Sequence, residues 1–219
     1  MCTDPQFFAL YILFLVIAYL FGSVPFGLVL TKLSGLGDIR KMGSGNIGAT
    51  NVLRTGNKFL ALTTFLCDAG KGGVAILLFG YLPDLSNNSE IIPCSDTEKN
   101  LLSFGIAIAA IIGHMFPIWL KFKGGKGVAT TIGCLLALKP LMALVVCGIW
   151  LICAVTTRIS SLSALIATAA VPIIVYAAYD SSLDITLTAL CISLLVWIKH
   201  HENIHRLLKG EEPKIGKKK

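Results

Sequence analysis

Long apolar runs, rather than a two-residue or helical alternation, organise this chain. They occupy 7–30, 59–82, 101–120, 141–157, 161–179 and 184–198, with a shorter one at 127–138. A helix crossing the hydrocarbon layer of a bilayer needs roughly 20 apolar residues, about 17 at the least unless its flanks help. Six runs therefore read as crossings, and 127–138 fits either a short crossing or a re-entrant half-helix. Composition supports this reading: 55% of the 219 residues are hydrophobic and only 14% charged. Soluble domains carry more charge, and disordered chains carry far less Leu, Ile, Val and Phe. The expected class is an all-α polytopic integral membrane protein forming one membrane-embedded domain over 1–219, with a basic tail at 199–219.

Charge sets the parity of the crossings. The net charge is +7, and 16 of the 19 Lys and Arg residues fall in alternate loops, at 31–58, 121–126, Arg158 and 199–219. Asp4, Asp84, Glu90, Asp96, Glu98, Asp180 and Asp184 fall in the opposite set, with Lys99 and Lys139. Cytoplasmic loops concentrate Lys and Arg, so the expectation is seven transmembrane helices with the N-terminus outside and the C-terminus cytoplasmic. Five crossings plus a re-entrant hairpin at 127–157 is the alternative that keeps the same parity. Single cysteines at Leu135 and Lys139 separate the two by depth. The N-terminal run has no basic n-region and reads as the first span rather than a removable leader. Seven scattered cysteines without CxxC suggest neither a zinc site nor a redox pair. A Cys2–Cys94 disulfide and the Asn87-Asn88-Ser89 triplet in the outer loop of 83–100 carry little weight.

The basic loops hold more than topology requires. Residues 43–54 read GSGNIGATNVLR, in which Ser44, Gly45, Asn46, Thr50 and Asn51 precede Arg54. Residues 121–130 read KFKGGKGVAT, in which Gly124, Gly125, Lys126 and Gly127 open onto the short run. Closely spaced glycines let backbone N–H groups converge on an anion, and a helix N-terminus beside a lysine does the same. Two phosphate cradles are therefore expected. The GxxxxGK[ST] spacing of a nucleotide-binding loop is absent, with Gly127 where Ser or Thr should follow the lysine. Asp68 and Lys71 stand three apart inside the second span, where an ion pair is a functional candidate or a neutral brace. His114, Arg158 with Ser160 and Ser161, and the His200–Asn203 face complete the polar features gathered at one membrane boundary. Carboxylates are too dispersed for a magnesium cage, and no metal, cofactor or nucleic-acid partner is expected.

These stretches also carry a resemblance. GSVPFG at 22–27, GSGNIGATNVLRTG at 43–56, DAGKG at 68–72, GHMFPIWLKFKGGKGVAT at 113–130, RISSLSAL at 158–165 and HHENIHRLLKGEE at 200–212 resemble the bacterial membrane acyl-phosphate:glycerol-3-phosphate acyltransferase family. The resemblance implies acyl transfer from acyl phosphate to the 1-hydroxyl of glycerol 3-phosphate, giving lysophosphatidate and phosphate, the first step of bacterial phospholipid synthesis. It further implies an inner-membrane location with the site on the cytoplasmic face, membrane lipid around it, and a soluble enzyme that supplies acyl phosphate. By the matching motifs, Ser44, Arg54 and Lys126 are expected in phosphate binding and activity, with Ser161, His200 and Asn203 in catalysis and Ser160 as a neighbour. Asp68, Lys71, His114 and Arg158 are expected in support. A small transporter of phosphate or a phosphoester, with Asp68 and Lys71 along its path, is the rival reading. A lipid-binding scaffold is a third, which leaves the interleaved glycines unexplained.

Overall fold

The structure, a computed structural model, describes residues 5–80 and 95–216. The Cys2–Cys94 pairing, the 87–89 triplet and most of the outer loop lie outside these residues. All regular structure in the described residues is helical: α1 (Pro5–Gly22), α2 (Phe26–Leu33), α3 (Ala49–Leu53), α4 (Lys58–Gly80), α5 (Asp96–Met115), α6 (Val128–Leu138), α7 (Pro140–Thr157), α8 (Ser160–Ala169), α9 (Val171–Ala178), α10 (Leu183–Lys199) and α11 (His201–Leu208). Five helical stretches are long and apolar enough to cross a membrane, six if α10 and α11 count as one span bent by 63°. Phe8, Leu141, Ile173 and Val155, each more than 60% exposed, face outward, while Asp68 and Lys71 are buried. That inversion is what a lipid solvent selects.

Several spans are broken, each for a local reason. The 7–30 run splits into α1 and α2 at Val24-Pro25, because proline has no N–H to continue the helix. The third run ends as an α-helix at Met115, ahead of Pro117, and continues only as a 3₁₀ turn at Ile118–Leu120. The sixth run divides into α8 and α9 around Pro172.

Small residues bring the helices together. A Cβ on Gly72 would lie 2.7 Å from the Thr130 carbonyl oxygen and the Cys134 sulfur, and one on Gly133 would overlap the Ala69 carbonyl. α4 and α6 therefore meet backbone to backbone, as helices in lipid do when packing replaces the hydrophobic effect. α1 packs on α5 similarly, with Gly113 against the Tyr19 carbonyl and the Tyr19 hydroxyl donating to the Phe116 carbonyl at 2.9 Å.

The 11 residues of α6 rise only about 16 Å. Its start is recessed: Thr130, in its first turn, packs against Gly72, which lies about 21 Å along α4 from Lys58. At its other end Lys139 donates to the Ala178 carbonyl and stands 4.0 Å from the Tyr179 ring centroid. The α6–α7 corner thus shares an end of the bundle with the end of α9. The first basic loop is a folded cap with its own small core, in which Ile39, Ile47 and Val52 pack on Leu28 and Leu60.

Candidate active site

The cavity has a volume near 400 Å³ and lies among α4, α6, α7 and α8, with the first basic loop at its mouth. Its inner walls are mostly apolar, formed by Leu62 and Phe65 of α4, Ile132 of α6 and Cys147 and Trp150 of α7, with Asp68 and His114 as buried polar exceptions. Its mouth is polar, formed by Asn46, Thr50, Lys58, Lys126 and Ser160. A molecule with a long apolar portion and an anionic head fits such a shape.

Two helices aim their N-termini at this mouth. α6 begins at Gly127, whose φ of 82° suits glycine, and no side chain caps it. α8 begins after Ile159, again uncapped by a side chain. The first N–H groups of each have no partner inside the helix and carry the positive end of its dipole. Ser160 and Ser161 occupy the first two helical positions of α8 rather than its cap. The Ser160 hydroxyl faces that of Thr50 at 3.3 Å, and Ser161 donates to Glu212 at 2.6 Å.

The glycines of the second loop have a different task from the expected one. The Gly124 N–H donates to the Met115 carbonyl at 3.1 Å and the Gly125 N–H to the His114 carbonyl at 3.0 Å. These donors are occupied, so the N–H groups of this stretch left for an anion are those at the start of α6. What Gly124 and Gly125 supply is room: a Cβ on Gly125 would run into the His114 imidazole, and one on Gly124 into the His114 carbonyl. In the first loop, Gly45 donates to the Met42 carbonyl at 2.9 Å. Asn51, 2% exposed, donates to the carbonyls of Ile39, Met42 and Asn46 and accepts from the Ser44 N–H. Gly45 and Asn51 therefore brace the loop rather than face a ligand. Ser44 and Arg54 remain exposed with free side chains, whereas Arg40 is tied to Asp38 by an ion pair at 2.6 Å. Arg54 follows the lining residue Leu53 without itself lining the cavity, and its guanidinium has no hydrogen-bond or ion-pair partner among the described residues.

Of Lys126, Ser161, His200 and Asn203, only Lys126 lines the cavity. Its ammonium donates to the Asn203 side-chain oxygen. The Asn203 amide donates in turn to Glu212 at 2.6 Å, and Arg206 donates to the other Glu212 oxygen at 2.7 Å. Glu212 thus accepts from Ser161, Asn203 and Arg206 at once. Burial alone would raise its carboxyl, but those three hydrogen bonds and the Arg206 charge hold it below the ordinary glutamate value. Sequence reasoning missed Glu212, Arg206 and the rim position of Lys58. The only signal for Glu212 was its place at the end of the last shared motif. Arg158 sets the tail that carries it: its side chain donates to the Ile215 carbonyl at 3.1 Å, and the Ile215 N–H returns to the Arg158 carbonyl at 2.7 Å.

His200, just past the end of α10, is 3% exposed. Its Nδ1 faces the Val196 carbonyl at 2.8 Å, so Nδ1 carries the proton and Nε2 a lone pair. Burial pushes the ring down to about 4, with Lys126 adding to the effect, so it is neutral at pH 7. Asp68, Lys71 and His114 lie deeper, with Lys71 donating to Asp68 at 2.9 Å.

Burial likewise pushes the Lys126 ammonium down to about 8; Glu212 and Glu202 oppose this, and Arg206 and Arg54 add to it. The sign follows directly. If catalysis needs the ammonium, kcat/KM is expected to fall as pH rises through about 8, well before ordinary lysines titrate. A pH–rate profile of the purified protein in lipid checks this; a flat profile to pH 10 removes the charged Lys126 from the reaction.

The chain as a whole is similar to known proteins. A family model described as glycerol-3-phosphate acyltransferase matches residues 12–210. The chain is 52% identical to the glycerol-3-phosphate acyltransferase of Rhizobium meliloti (strain 1021), over 93% of this chain and 92% of that one. It is 53% identical to that of Paramagnetospirillum magneticum (strain ATCC 700264 / AMB-1), over 92% of each. It is also similar to a crystal structure of an integral membrane glycerol 3-phosphate acyltransferase in its glycerol 3-phosphate form. That likeness has a TM-score of 0.81 and 34% identity, covering 94% of this chain and 96% of the other. The lysophosphatidic acid form of the same enzyme gives a TM-score of 0.79 and 33% identity, covering 94% and 95%.

Proposed function

The chain belongs to the glycerol-3-phosphate acyltransferase family and is an acyltransferase of the membrane, and from that premise we propose that its donor is acyl phosphate and that transfer occurs at the cytoplasmic face of a bacterial inner membrane. The transporter reading gives way to an enzyme. The observation that carries the donor is the cavity itself, an apolar groove whose head holds Lys126 and the uncapped start of α6. Acyl phosphate is a fatty chain ending in a dianion and needs no pocket for a large carrier group.

The proposed reaction needs position and charge more than covalent chemistry. The 1-hydroxyl oxygen of glycerol 3-phosphate attacks the acyl carbonyl, the new ester C–O bond forms, and the anhydride C–O bond breaks. Phosphate leaves with the bond's electron pair. Lys126 and the α6 N-terminus neutralise one phosphate, and Arg54 with Ser44 offers a second cationic position. A ring with a pKa of about 4 is a weak base, so in this reading the hydroxyl proton passes to an oxygen of the leaving phosphate. Asn203 then holds Lys126 in place from behind, and His200 packs neutral at the same bend.

Topologically we read seven crossings, N-terminus outside and C-terminus cytoplasmic, with α6 as the short fourth. Its recessed start and the contact of Lys139 with the end of α9 support this over a re-entrant hairpin. The basic ends of the helices then surround the site, where a soluble enzyme making acyl phosphate can deliver it.

Purified protein in lipid, given palmitoyl phosphate and labelled glycerol 3-phosphate, is expected to form labelled lysophosphatidate and release phosphate. Product from palmitoyl-CoA but none from palmitoyl phosphate would overturn the donor assignment.

A further inference from the structure

Three buried polar side chains have no part in the reaction as written: Asp68, Lys71 and His114, 2%, 1% and 4% exposed. A charge inside a membrane protein needs a partner, and here the partners run in a line toward the site. At the break between α1 and α2 the Val24 carbonyl takes a short turn bond from the Phe26 N–H at 3.1 Å in place of a helical one. Lys71 adds a second donor to that carbonyl at 3.0 Å while holding Asp68 at 2.9 Å. The same Asp68 oxygen stands 3.6 Å from Nδ1 of His114, which has no hydrogen-bond partner of its own among the described residues. The imidazole lies directly beneath Gly125, where any Cβ would collide with Nε2, and the His114 carbonyl accepts the Gly125 N–H. Lys126 is the next residue.

We propose that Asp68 and His114 are positioning residues for Lys126: Asp68, anchored through Lys71 to the α1–α2 break, sets the imidazole, and the imidazole sets the height of the Gly125–Lys126 backbone. Lys71 neutralises Asp68, so a carboxylate can line a cavity that takes phosphate without repelling it. Both Asp68 and His114 line that cavity, so the brace lies along the wall that the substrate touches. The inference rests on the reading of Lys126 as a phosphate ligand.

The test is steady-state kinetics on purified variants in lipid, with the substrate whose KM Lys126→Ala raises most taken as the reporter. Asp68→Asn keeps the shape and removes the charge, and is expected to raise the reporter's KM on the order of tenfold while kcat and the other KM change much less. Gly125→Ala is expected to be severe in the native background but to add under about threefold to His114→Ala, because the colliding ring is gone. A packing role alone lowers yield and thermal stability without that selective KM change or that coupling. Native KM values in Asp68→Asn, or equal harm from Gly125→Ala with and without His114, would overturn the proposal. Should His114→Ala fail to fold, Asp68→Asn decides by itself. A mild Lys126→Ala would instead sink the phosphate-site reading, which separates the two failures.

Discussion

Lys126→Ala is expected to lower kcat/KM by about 10³, roughly 4 kcal/mol of transition-state stabilisation, the size seen when one preorganised donor to a developing charge is removed. Lys126 is the cation set at both the cavity mouth and the start of α6. Its environment has already stripped much of its water, since burial pushes its ammonium down to about 8. A charge in that state interacts with a phosphate more strongly than a hydrated one does. Lys126→Arg is also expected to fail, because a planar fork cannot serve the Asn203 oxygen and a phosphate in the space of one ammonium. Lys121→Ala is the control. Lys121 is exposed and does not line the cavity, and its loss is expected to leave kcat/KM within about twofold. Equal, small effects at both lysines would return Lys126 to the role of a topology charge.

The second large effect is expected at Glu212. One carboxylate accepts from Ser161, Asn203 and Arg206, and its side chain is only 6% exposed. Glu212→Ala leaves three donors unmatched and lets the Asn203 amide turn away from Lys126. The expected loss in kcat is on the order of 10², with a lower thermal midpoint, since unpaired polar groups at a buried site cost about 1–3 kcal/mol. Glu212→Gln keeps the shape but sets an amide against Arg206, and is expected to fall between Ala and the native chain. Combining Glu212→Ala with Asn203→Ala should add little, because the carboxylate acts through the amide. The pH dependence has a definite sign. A carboxyl held below its ordinary value stabilises the fold fully above the usual glutamate range, and that contribution is lost as pH falls below it. Additive losses in the double variant would show Glu212 to be a separate support rather than a holder of Asn203.

Much of this was legible in residue order. The apolar runs located the spans to within a few residues, because a helix in lipid must satisfy its backbone internally and so reveals itself by length. Their breaks at Pro25 and before Pro117 did not show in run length and came from the structure, although their cause, proline, is local. Lys126 and Arg54 stood out because charge was set among glycines and small polar residues, which topology does not need. The glycines themselves were legible as important but not as to why. Whether the N–H of Gly125 is free for a ligand depends on whether the His114 carbonyl reaches it, and that is set by where α5 ends and how its chain turns back. Asn51 presents the same case: its four polar contacts join segments that no spacing rule ties together.

The sequence by itself determined that this is a helical membrane protein and which glycine-rich basic loops are the candidates for phosphate chemistry. Those properties follow from one-dimensional quantities: run length, charge parity and the composition of loops. Tertiary structure alone decided which donors remain free, how deep α6 begins, and that Glu212, beyond the 63° bend at His200 and on a tail that Arg158 holds at Ile215, binds Asn203 behind Lys126. The physical reason is that hydrogen-bond availability and desolvation belong to the neighbours a group acquires on folding. In this chain those neighbours come from helices that only close backbone packing at glycines brings within reach.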